Sequence, residues 1–210
     1  MYDFLRSLIM LIFVLANCLG QSKDDMMMDH ELNIQNEFES MHGEGWIFKW
    51  NLNHTPHRIF GKSIFQNFDG SDSFQSELAA RDFISNHQSL FKMTDDNLEL
   101  WVNEFHGNLR YLIFNQIHED IPVWNARLDF RYRSNGDLVM IGHDAYPDLS
   151  MNIIPTINEE EAILIVKLHV GFDESLEDEV VGIPQLYIWV EKKKQPIYHL
   201  AWLTELFVHS

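Results

Sequence analysis

The sequence predicts an α+β fold: an antiparallel sheet meander with a packed helix, then a smaller helix-plus-hairpin unit. Three observations lead there. Four strand-like runs, 98–105, 109–117, 123–132 and 138–141, are separated by turns at His106-Gly107-Asn108, Glu119-Asp120 and Asn135-Gly136. Consecutive short strands with tight turns make a meander. A helix-start signature, Asp72 with Gln75 three residues on, precedes this run, and another, Asn158 with Glu161, follows it. Two further strand-like runs, 186–190 and 198–207, flank Lys192-Lys193-Lys194, which reads as a solvated hairpin tip.

Taken in order, Arg6 and the α-amino group precede nine apolar residues, Leu8 to Ala16. A bilayer core of about 30 Å needs about 20 such residues, so this segment is too short to span it. It fits a signal peptide over residues 1–20. Two fates of the leader stay open. Cleavage after Gly20 places Cys18 and Gly20 where signal peptidase reads small residues. Alternatively, Leu15-Ala16-Asn17-Cys18 resembles a bacterial lipobox, with lipidation at Cys18. Either way the protein is expected to be exported, secreted or held in the cell envelope, in a bacterium. Cys18 is the one cysteine, so the body has no disulfide and rests on packing.

Residues 21–44 are acidic, rich in methionine and without clear periodicity, and read as a spacer. From Trp46 to Leu52 the chain is aromatic and β-branched, hence strand-like, and Arg58 to Phe60 is a second short strand after the Thr55-Pro56 turn. The helix opened by Asp72 should run to about His87 and bury Phe74, Leu78, Ala79, Phe83 and Ile84. After the meander, Tyr146-Pro147 and Pro155 bracket a linker. Ile157 and Ala162 are placed as a hydrophobic staple around the Asn158 cap, and the helix should stop near Gly171. A helix and a hairpin are too little for independent stability. The expected organisation is therefore 45–150 for the first unit and 151–210 for the second, which packs on the first or on something beyond residue 210.

The charge excludes one class of partner. With 32 acidic against 15 basic residues, the formal net charge of −17 repels nucleic acid. It suits a cationic or metal-bearing partner. Catalytic motifs are absent from the sequence. His30-Glu31 and His118-Glu119 begin like a zinc-protease His-Glu-x-x-His, but Ile34 and Pro122 stand where the second histidine belongs. Of the eleven histidines only His54 and His57 lie close together, too few for a metal set. Glu159-Glu160-Glu161 is explained by the dipole of the helix it opens. Asn53-His54-Thr55 is a glycosylation sequon, meaningful in a eukaryotic host.

The stretch from Leu109 to Leu128 resembles the core of the fungalysin/thermolysin propeptide (FTP) domain. The resemblance is carried by a strand ending in Gln116, a short turn, then Ile121-Pro122-Val123 and a second strand, with Gly136 in the hairpin after it. Asp120 replaces the usual glycine before Ile121 and tolerates the same turn. Pro155 to Leu206 is similar to a PepSY domain. The resemblance covers roughly 45–207. It implies a non-catalytic propeptide of a secreted zinc metalloprotease, a chaperone and inhibitor of its catalytic domain. That partner is thermolysin-like or fungalysin-like, with zinc and calcium expected only there. The alternative is a free-standing FTP–PepSY protein acting in trans as an inhibitor or binding module. Gln116, Ile121, Pro122, Val123 and Gly136 carry the signature and are read as structural.

Overall fold

A computed structural model describes residues 28–209; Cys18 and the leader lie outside them. The architecture is α+β, with four helices and an open eight-stranded sheet among the described residues. Helix α1 covers 28–42. Strands β1 (Ile47–Trp50) and β2 (Pro56–Ile64) follow, then helices α2 (Ser73–Asn86) and α3 (Gln88–Phe91). The meander is β3 (Leu98–His106), β4 (Leu109–His118), β5 (Ile121–Arg133) and β6 (Leu138–His143). Helix α4 (Glu159–Val170) and the hairpin β7 (Glu179–Glu191) and β8 (Ile197–Phe207) complete it.

The main sheet runs β1-β2-β6-β5-β4-β3, all antiparallel. Its register aligns Phe48, Ile59, Ile141, Phe130 and Leu112 in one row across five strands. Because side chains alternate along a strand, the row puts one apolar face toward the helices. Ile59, Leu112 and Phe130 are fully buried there with Phe91, Phe114 and Tyr132.

Two expectations about the helices are corrected. The segment read as an aperiodic spacer forms α1 over 28–42, and its Ile34 and Phe38 lie in the main core. Phe38 meets the Trp46 ring edge-on at 5.3 Å. In α2, Phe74 and Leu78 are exposed, and the buried residues are Ser76, Ala80, Phe83 and Ile84. At about 100° per residue, Phe74 and Leu78 fall on the side of the helix opposite Ala80, so the five apolar residues never formed one stripe. The Asp72 cap is as expected, accepting from the Phe74 and Gln75 amides. Gln75 returns its amide to the Asp72 carboxylate rather than to the cap backbone.

The turns depend on left-handed residues. Glu119 and Asp120 have φ of 48° and 66°, the two-residue hairpin geometry that twists with its strands. Asp120 thus does the conformational work of a glycine. The Asn135-Gly136 turn is longer. The Gly136 amide bonds Arg133 O, and the Arg133 amide bonds Asp137 O, closing a three-residue loop with Gly136 at φ 84°. A Cβ at Gly136 would lie 2.3 Å from the Phe68 carbonyl oxygen, so both backbone and space require glycine.

Strand β5 joins the two units. Between the pairs Asn115↔Arg127 and Ile117↔Pro122, one residue of β4 opposes four of β5, and Asn125 there has φ 58°. The bulge bends β5 away from the main sheet. Its outer part pairs in parallel with β7 at Val123↔Ile188. Val123 and Ala126 thereby join Ile188, Val190, Tyr146 and Leu149 in a second, smaller core. The second unit packs on the first, and the linker contributes Tyr146 and Leu149 instead of standing free in solvent.

Candidate docking surface

Helix α4 is fixed at both ends by local chemistry. The Asn158 side chain accepts from the Glu161 amide at 2.9 Å, and Glu161 accepts from the Asn158 amide at 2.9 Å. Gly171 ends it in a left-handed cap at φ 69°. Trp202 of β8 donates its indole N–H to Ile157 O at 3.1 Å, tying the helix start to the hairpin. Yet Ala162 is the one residue of α4 that is buried. Leu164, Ile165 and Leu168 are 57%, 53% and 75% exposed.

The hairpin exposes apolar residues of its own, with Trp189 and Leu203 on the face opposite Leu200 and Trp202, which face α4. Ile183 is 77% exposed, with Leu203, Phe207 and Trp189 also open. Where α4 leans on the hairpin, a groove of about 550 Å³ is lined by Ile154, Pro155, Ile165, Val166, Leu200 and Trp202. Among the described residues β8 pairs with β7 alone, so its other edge has no strand partner there. Exposed apolar groups clustered on one helix are a candidate contact surface.

The residues singled out in the sequence have separate places. Gln116 is buried, and its amide donates to Tyr146 O at 2.9 Å and accepts from Tyr146 N at 2.8 Å. The side chain stands in for a strand, pairing the linker backbone where β6 has ended. Val123 is buried in the second core, while Ile121 and Pro122 are half-buried at the start of β5. Gly136 lies at the far end of the β5–β6 hairpin. The structure therefore does not gather these five residues into one site.

The histidines are also dispersed. His54 pairs with Glu31 at 2.6 Å and His57 with Asp144 at 2.6 Å, so the two neighbours take different carboxylates. Burial works to raise the Asp144 carboxyl, but hydrogen bonds from His57 and Arg58 outweigh it and hold it below the usual range. Among the described residues no group of three His, Cys, Asp or Glu is placed to hold a metal. His143 is buried against Phe91 O at 3.0 Å, and burial pushes it down to about 4. Lys192, Lys193 and Lys194 form the exposed β7–β8 tip, where Lys193 pairs with Glu191 at 2.7 Å.

Fold and surface together define an α+β open-sheet protein with exposed apolar residues on α4. Among solved structures it is a weak neighbour of the Bacillus megaterium YpeB C-terminal domain, at 14% identity and a TM-score of 0.37. The match covers 72% of this chain and 62% of that one, less than two thirds of its length. No family model matches the chain, so the FTP resemblance has none behind it. No curated protein matches either.

Sequence reasoning missed α1 and the exposure of α4. For α1 a faint signal existed, since Ile34, Phe38 and Met41 recur at spacings of four and three. For α4 there was none, because an apolar helix looks the same whether its cover lies within the chain or outside it.

Proposed function

We propose that this chain is a non-catalytic propeptide module of a secreted zinc metalloprotease. It docks on the catalytic domain, assists its folding and restrains it until removed. The observation that supports this reading is the apolar surface of Leu164, Ile165 and Leu168, which the described chain leaves uncovered. Burying apolar area of that kind supplies roughly 25 cal/mol per Å², enough to drive association when the surface is preformed. The acidic first turn of α4, Glu159 to Glu161, borders the surface and favours a partner with cationic groups or bound calcium. In a precursor the two parts share one chain, and the high effective concentration makes even modest contacts sufficient.

The test is to titrate the purified chain into thermolysin-like and fungalysin-like zinc endopeptidases, following peptide hydrolysis and the recovery of denatured enzyme. The expected results are saturable inhibition and a higher refolding yield. If neither class binds at concentrations of about 100 μM, where a Kd near ~100 μM would give half-occupancy, the proposal fails.

A further inference from the structure

Helix α1 is held to the body by an unusual set of polar contacts. Two apolar side chains, Ile34 and Phe38, enter the core. Around them, His30 Nε2 meets Lys92 Nζ at 2.8 Å, Glu31 meets His54 Nδ1 at 2.6 Å, and His42 Nε2 meets His87 Nε2 at 2.7 Å. Glu39 accepts from the Gly45 and Trp46 amides at the end of the helix. Histidine thus stands in three of these contacts, and in two of them it must be neutral.

The proton positions follow from the partners. His87 Nδ1 lies 2.7 Å from Phe83 O, so Nδ1 carries the hydrogen. In a neutral His87 ring Nε2 then accepts, and His42 must donate from its own Nε2. Protonating His87 would set N–H against N–H across 2.7 Å. The rings lie 5.0 Å apart, with His87 on Phe83 and half-buried His42 against Phe38. At the other end, the Lys92 ammonium can donate to His30 only while that imidazole is neutral.

We propose that residues 28–42 are an acid-released strap, clamped on the sheet by neutral His30 and His87 and let go when these imidazoles take up protons. Release uncovers the aromatic patch of Trp46, Phe48 and Phe83 that Phe38 and His42 now cover.

Every charged neighbour of the clamp enters the balance. Burial lowers His87, against a smaller upward pull from Phe83 O and Glu37. Burial and His87 lower His42. Burial, Lys92 and His54 lower His30, with Glu31 opposing. Glu31 with His54 is the contact that protonation leaves in place. A histidine depressed in the closed state contributes stability that is full above about 6.5 and is lost as pH falls below it. Each extra proton bound on release shifts the opening equilibrium up to about tenfold per pH unit. Protonation of His87 alone therefore gives up to about tenfold.

Hydrogen exchange of the full chain at pH about 7.5 and about 5, corrected for intrinsic rates, tests the strap. The expected result is loss of protection over 28–42 by at least about tenfold, while β4 and β5 stay protected. Protection of 28–42 that is unchanged at the lower pH overturns the proposal. So does a loss shared equally by β4 and β5, which would be global acid unfolding. The wild-type ring signal of His87 provides a second measurement, since it should titrate with the loss of α1 protection. Titration of this ring with α1 still protected also overturns it. His87→Gln keeps an amide oxygen that can accept from His42 without a titratable ring, and it should move the release to lower pH.

Discussion

The two helices that cover the sheet regions differ in a way their compositions hide. Helix α2 has a mixed surface, yet Ser76, Ala80, Phe83 and Ile84 are buried and its exposed side is shared by polar residues with Phe74 and Leu78. Helix α4 is the more apolar by sequence, with Ala162, Ile163, Leu164, Ile165, Val166, Leu168 and Val170 in twelve residues, and it buries one of them. Helix α2 turns its buried side to the main core, while α4 leaves most of its apolar residues exposed. Hydrophobic content reports what a helix wants to bury, not where the cover comes from.

The contrast can be broken first in the main core. Phe130→Ala empties the centre of the row that crosses the sheet and should cost about 3–5 kcal/mol, read by urea unfolding. A loss under 1 kcal/mol would mean the main core is not what the register indicates.

Acid gives the next largest effect. His143 is fully buried and depressed to about 4, so the unfolded chain binds a proton that the folded one refuses. Stability from this group is whole above about 6.5 and declines as pH falls toward about 4, by roughly 3 kcal/mol in all. Thermal unfolding across that interval should show the decline, and a flat profile would place His143 in contact with water.

Gln116→Ala acts at the joint. It leaves the Tyr146 N–H and C=O without their partner in a buried site, an expected cost of about 2–3 kcal/mol. Hydrogen exchange should rise around Tyr146 and Val123 before it rises in β3. Uniform loosening would mean that the linker is not held by this side chain.

Much of this architecture was legible. Strands β3 to β6 came from local alternation and turn residues, and the caps at Asp72 and Asn158 from side chains two or three positions from their targets. What could not be read depends on distance. The partner of Gln116 is Tyr146, thirty residues on. Helix α1 owes its place to Lys92, His54 and His87, none of which is near it in sequence. Likewise, whether Leu168 is inside or outside is decided by what α4 meets, which no periodicity contains. Of the signature residues, Gln116 bonds the Tyr146 backbone, a contact its place in the sequence does not announce.

The smallest expected effect on stability belongs to the open surface, and it carries the central claim. Leu164→Glu with Leu168→Glu changes two exposed residues of α4, and unfolding should shift by less than about 1 kcal/mol. Titrated against a thermolysin-like or fungalysin-like endopeptidase that the unaltered chain inhibits, the double variant should bind at least about tenfold more weakly. Undiminished inhibition by the folded variant would contradict the account, because the surface left open by α4 would then have no part in docking.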